Sequence, residues 1–226
     1  AFFICEIAPK KISKTMRIII DLMAGIPSII FGMWGLFVLA PFCADYIQTP
    51  LNILSQDIPI ISAFFGGPAI GIGVFTASII LGIMIIPTIS STLIEVFYSA
   101  PLVLKDSAFA LGTTKWEYAH KVLFPFVRYG IVGSITLGFG RALGETMAVT
   151  FVIGNSKTLS SSLFMPGTTI SATIANEFNE ATGHLYRSAL IELGLILFSI
   201  SFVVLGVSRF ILLHLNSSKK SENKYG

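Results

Sequence analysis

Arg141 and Glu145 stand four residues apart inside an apolar run, Gly130–Gly154, that is long enough to cross a lipid bilayer. In an uninterrupted helix, residues at this spacing share one face. Arg141 lies about 16 Å along the run from Gly130 at about 1.5 Å per residue, near the middle of a hydrocarbon core about 30 Å thick. A charge at that depth costs between about 2.5 and well over 10 kcal/mol unless a partner or a water-filled cavity receives it. A guanidinium stays charged and offers a planar fork of donors. A carboxylate one turn further can hold it, and Thr146 adds a hydroxyl. Two readings follow: groups lining a polar pathway, or an ion pair that clips two helices together.

The elements that must position these residues are set by composition. The 226-residue chain has a mean hydropathy of +0.82 with only 12% charged residues, values that exclude an ordinary soluble domain. The fold class expected is all-α, a polytopic membrane helix bundle. Four spans are predicted, at 18–42, 68–89, 130–154 and 188–213. The opening run AFFICEIA, with no initiator Met, reads as the inner end of a helix whose start is missing. One membrane domain over 1–215 and a polar tail over 216–226 are expected.

Lys and Arg alternate between sides. Lys10, Lys11, Lys14 and Arg17 precede the first span; Lys105, Lys115, Lys121 and Arg128 lie between the second and third; Arg209, Lys219, Lys220 and Lys224 close the chain. The intervening segments hold only Lys157 and Arg187. The basic segments are therefore expected in the cytoplasm, and the loops around Asp45–Asp57 and Asn155–His184 outside. The spacings Gly67/Gly71, Ser134/Gly138 and Gly140/Gly144 suggest close helix contacts. Pro27 and Pro87 interrupt two spans, as kinks or as gating breaks. The outer segment Asn155–His184 reads either as a fold over a pathway mouth or as a plain loop.

The inner segment 98–125 is too ordered for a connector. Ala100-Pro101 opens a helix with proline at its first position, and Gly112 closes it in the left-handed conformation. Thr114 and Glu117 form a capping box for a second helix carrying Trp116, which is expected to end at Pro125. The pair is either an interfacial element lying on lipid or a dock for a cytoplasmic protein.

The sequence DSAFALG at Asp106–Gly112, with Leu123–Pro125 beyond it, resembles the EAA loop of ABC-importer permeases. Asp106, Ser107 and Ala108 stand at the Glu-Ala-Ala positions, with Asp for Glu and Ser for Ala, and Gly112 at the glycine. GRALGETMAVTFVIGN at Gly140–Asn155, AGIPSIIFGMWGLFVLAPF at Ala24–Phe42 and LFMPGTTISATIANEF at Leu163–Phe178 are similar to the phosphate-importer permease subunits of the PstC type. The resemblance covers about 4–213. It implies the type I, MetI-like permease architecture, with one complete helix and part of the next absent from the N-terminus.

It further implies an inner-membrane subunit of a bacterial cell that imports phosphate. The implied partners are a second, PstA-like permease, two copies of a cytoplasmic ATPase and an extracytoplasmic phosphate-binding protein. Asp106, Ser107, Ala108, Gly112 and Trp116 would couple to the ATPase, and Arg141, Glu145 and Thr146 would line the phosphate pathway. The chain has no phosphate loop of its own, so it is expected to be a transporter subunit and no enzyme. No catalytic residue, cofactor, metal or nucleic-acid partner is expected; Glu177, Glu180 and His184 lack ligand spacing and read as solvated. Sulfate or molybdate as the cargo, or an ion-gradient-driven carrier, are the competing readings.

Overall fold

The computed structural model describes residues 1–55, 64–158 and 160–222. Among them there is helix and loop and no strand. Eight helices are named here: α1 Lys10–Ala24, α2 Ser28–Leu54, α3 Val74–Tyr98, α4 Leu102–Ala110, α5 Lys115–Leu143, α6 Met147–Val152, α7 Ile170–Glu177 and α8 His184–Glu222. A π-helical turn, Phe3–Ile7, precedes α1. Four of these helices, α2, α3, α5 and α8 as far as Phe210, are long and apolar enough to cross a membrane. The outer-loop reading around Asp45–Asp57 falls partly outside the described residues, and Lys224 lies wholly outside them.

Helix boundaries differ from the hydropathy reading in ways local chemistry explains. Ile18–Ala24 belongs to α1, because Gly25 and Pro27 end one helix and start the next: Pro27 stands extended just before Ser28. The span expected from Pro68 starts at Val74, because Gly67 and Gly71 take φ values of +139° and +76°. Those two glycines therefore make no helix–helix seam. Pro87 sits inside α3 without ending it. The α8 helix continues through the expected tail as far as Glu222.

Pro125 does not end the second inner helix. The preceding stretch Tyr118–Leu123 is π-helical, and Phe124 N–H bonds the Ala119 carbonyl, five residues back. Pro125 then enters in the first turn of the following α-helical stretch, Phe124–Leu143, where a missing donor is tolerated. The result is the long helix α5.

The chain forms two compact units. The first comprises 1–25, 85–141 and 201–226. Its core gathers Phe97, Ala108, Tyr118, Leu123 and Val127, so the α4 and α5 ends of the inner loop are packed against α3. Gly130 and Gly138 let α5 approach α3 closely, with Val96 and with Ile85 and Ile89 respectively. Thr136 and Ser208 share a hydroxyl–hydroxyl bond between α5 and α8.

The second unit comprises 26–84 and 142–200. Its core includes Ala40, Cys43, Ile80, Val149, Val152 and Phe164. Here α6 lies against α2, and a Cβ on Gly32 would stand 2.9 Å from the Ala148 Cα. Two loops interlock beside it: Phe75 N–H donates to the Leu163 carbonyl at 2.8 Å, Gly73 N–H to Val152 at 3.0 Å and Leu163 N–H to Phe64 at 2.8 Å. Buried Gln48 accepts from Gly71 N–H at 2.9 Å, which fixes the turn to α2.

Gly71 is the tightest point. A Cβ there would sit 2.0 Å from the Ala40 carbonyl oxygen, on a backbone already at positive φ. Gly71→Ala is expected to destabilise the protein by about 1–3 kcal/mol from overpacking alone. Gly82→Ala, in α3 with nothing within 4 Å, is expected to be neutral or mildly stabilising. Thermal unfolding of both variants in detergent checks the contrast.

Candidate functional site

The run that holds Arg141 and Glu145 is not one helix. The α5 helix ends at Leu143, Gly144–Thr146 is non-helical, and α6 begins at Met147. The expected alignment of Arg141 and Glu145 on one helical face is therefore not what forms. Arg141 occupies the last turn of α5 and is half-buried. A cation there complements the partial negative charge of the helix end. Glu145 takes the opposite post. Its Oε1 accepts from the Ala148 N–H at 3.2 Å, at the start of α6, where an anion is favoured.

The break is closed by further hydrogen bonds. Glu145 N–H donates to the Ala142 carbonyl at 3.3 Å. The Ser171 hydroxyl of α7 donates to the Glu145 carbonyl at 3.0 Å. Thr146 donates its hydroxyl to the Gly144 carbonyl at 3.2 Å. The sequence reading missed Ser171 and the capping use of Glu145. The signal was present: Gly-Glu-Thr is a helix stop followed by an acidic start, written inside an apolar run.

The inner loop follows the local chemistry closely. Pro101 stands extended at the cap of α4 and Gly112 takes φ +79°. Thr114 and Glu117 make both halves of the capping box: Glu117 N–H donates to Thr114 Oγ1 at 3.3 Å, and Thr114 N–H to Glu117 Oε2 at 3.0 Å. Of the three motif residues, Asp106 and Ser107 are exposed and Ala108 is buried. The Ala108 carbonyl receives both the backbone N–H and the hydroxyl of Thr113, at 3.3 and 2.8 Å, so it anchors the turn.

The loop also leaves large apolar side chains outside. Leu102, Val103, Leu111 and Trp116 are exposed, Leu111 to 85%. Trp116 stacks on His120 with ring centroids 5.2 Å apart. Lys105 on α4 bonds Glu6 of the Phe3–Ile7 turn at 2.7 Å, a tie the sequence reading did not make. Glu177, read as solvated, instead pairs with Lys157 at 2.8 Å and accepts from the Tyr186 hydroxyl.

The family of binding-protein-dependent transport system inner membrane components matches residues 4–220. The chain belongs to that family. The permease is 53% identical over 223 residues to the phosphate transport system permease protein PstC of Xylella fastidiosa, covering 99% of this chain and 68% of that protein. It is 50% identical over 217 residues to the protein of the same name from Mesorhizobium japonicum, covering 96% and 66%. With the probable PstC of Methanocaldococcus jannaschii it shares 42% over 205 residues, 90% and 64% of the two chains. It thus spans about two thirds of the length of these relatives. Its fold matches a chain of the MetNI methionine ABC transporter in an inward-facing crystal form, with TM-score 0.61, 16% identity, and coverage of 91% and 76%. The permease is accordingly a multi-pass membrane protein of the ABC-importer type, a class that works with an ATPase.

The capping box makes a quantitative prediction about the loop. Thr114→Ala is expected to cost about 1 kcal/mol, with most of the Glu117→Ala effect lost in the double variant because the two residues satisfy each other's donors. Limited proteolysis between residues 110 and 118 measures it.

Proposed function

We propose that this chain forms one side of the transmembrane pathway of an ATP-driven phosphate importer in a bacterial inner membrane. The identity of about half its residues with PstC proteins carries that reading. The proposed assembly contains a second, PstA-like permease, two cytoplasmic ATPase subunits and an extracytoplasmic phosphate-binding protein. The basic segments face the cytoplasm in this reading, which puts the α4–Gly112–α5 turn on the side where an ATPase is found.

In the proposed mechanism the exposed crest of Leu102, Val103, Leu111 and Trp116 seats in the ATPase, with Asp106 and Ser107 on its polar flank. Ala108 and Gly112 shape the turn. A free proteinaceous surface of this kind, held by a buried core beneath, is what a docking element requires.

Phosphate must exchange its hydration for donors and positive charge as it crosses. Arg141 supplies a charged bidentate fork. Glu145 and Thr146 stand at the helix break, where backbone groups leave the helix and can serve a passing ion. Selectivity falls mainly to the binding protein.

Arg141→Gln is expected to lower phosphate uptake about 10–100-fold, the equivalent of about 1.5–3 kcal/mol for a lost hydrogen bond to a charged group, while the complex still assembles. Uptake at the normal rate with normal assembly overturns the pathway role. Loss of assembly assigns Arg141 to capping the α5 end. Competition of radiolabelled phosphate uptake by sulfate and molybdate decides the cargo.

The docking role has its own test. Gly112→Pro, which forbids the observed φ, and Leu111→Asp, which places a charge on the crest, are expected to leave ATP hydrolysis running without import. Tightly coupled hydrolysis in both variants counts against the dock.

A further inference from the structure

We propose that α1 is an anionic-lipid-binding helix that lies on the cytoplasmic leaflet. At 100° per residue, Lys10, Lys14, Arg17 and Asp21 fall on one face of α1, and Ile12, Met16, Ile19 and Met23 on the opposite one. No residue of α1 is buried. Ile12, Ile18 and Ile19 are each 50% exposed and Leu22 67%, which in water is an unfavourable display for a helix this short.

The polar face divides in two. Its C-terminal part is tied to α3: Arg17 bonds Glu95, lies 3.8 Å from Asp21 and sits over the Tyr98 ring at 5.4 Å, while Ser91 donates to Asp21 at 2.7 Å. The N-terminal part, with Lys11 on the adjoining flank, is unsatisfied. Lys10, Lys11 and Lys14 are exposed and enter no ion pair among the described residues.

The anchor to α3 places α1 beside the C-terminal end of a membrane-crossing helix. There a surface with apolar depth and anionic headgroups answers both faces at once. Acyl chains cover Ile12, Met16, Ile19 and Met23, Ile18 and Leu22 dip in beside Lys11 on one flank, and lipid phosphates meet the three lysines, whose stems reach along the apolar side. A soluble acidic protein would satisfy the lysines and leave the isoleucines in water. The inference rests on the cytoplasmic placement of the basic segments proposed above, but not on the identity of the cargo.

Native mass spectrometry of the assembled transporter, taken from vesicles of mixed phosphatidylcholine and phosphatidylglycerol, tests it. The unaltered complex is expected to retain phosphatidylglycerol in preference. The Lys10→Gln/Lys11→Gln/Lys14→Gln variant is expected to lose that preference on the order of tenfold or more, and the corresponding triple Arg variant to keep it. Equal retention by the Gln variant overturns the proposal. So does unchanged lipid retention with loss of the co-purifying ATPase, which would assign the lysines to a protein partner. Failure of phosphate import leaves this readout untouched.

Discussion

A backbone that leaves its helix among apolar side chains must find new partners for every N–H and C=O it frees. At Gly144–Thr146 three side chains answer part of that demand. Glu145 takes an α6 N–H, Ser171 gives a hydrogen to the Glu145 carbonyl, and Thr146 gives one to Gly144. The charges at this point are first of all local: a cation at a helix end and an acid at a helix start. Their placement still leaves Arg141 half-buried with a fork of donors. A break of this kind is where a membrane bundle can present polar groups without exposing an orphaned backbone to lipid.

The second constraint is distance between backbones. In the unit holding α2 and α6, Gly32 brings the Ala148 Cα to 2.9 Å of where a Cβ would stand, and Gly35 leaves room for the Ile80 and Val152 side chains. Gly71 admits the Ala40 carbonyl. Lipid offers no hydrophobic gain for bringing helices together, so close packing of small residues carries the association. The exposed apolar side chains of α8 and of the outer faces of α2 and α5 are what such a chain presents to acyl tails and neighbouring subunits.

The sequence disclosed some of this and concealed the rest for identifiable reasons. The inner loop was legible residue by residue, because Pro101, Gly112, Thr114 and Glu117 act through their own backbones and need no distant partner. The boundaries of α1, α2 and α3 were blurred because hydropathy averages over the breaks at Gly25–Pro27 and Gly67–Gly71. The break after Leu143 was hidden the same way. Pro125 misled because the stop it signals is absorbed by a π-helical turn, which depends on packing of Tyr118 and Leu123 that spacing does not reveal. Glu6–Lys105 and Arg17–Glu95 join segments far apart in the chain, and no local pattern marks such pairs.

The long helix ties the two candidate regions together mechanically. Trp116 stands at the start of α5 and Arg141 in its last turn, about 40 Å apart at about 1.5 Å per residue. Both lie within one compact unit. The buried cluster of Tyr118, Leu123 and Val127 locks the Trp116 end of α5 to α4 and α3, while Gly130 and Gly138 seat its middle against α3. A push on the exposed crest therefore has little to bend before it reaches the far end. The π-helical turn is the one departure from regular winding on the way, and it lies beside the crest, where it can take up misfit without softening the remainder. Had Pro125 ended the helix, Trp116 and Arg141 would sit on separate elements joined by a hinge. Because it does not, Trp116 and Arg141 belong to a single rod, which ends where the chain leaves the helix at Gly144.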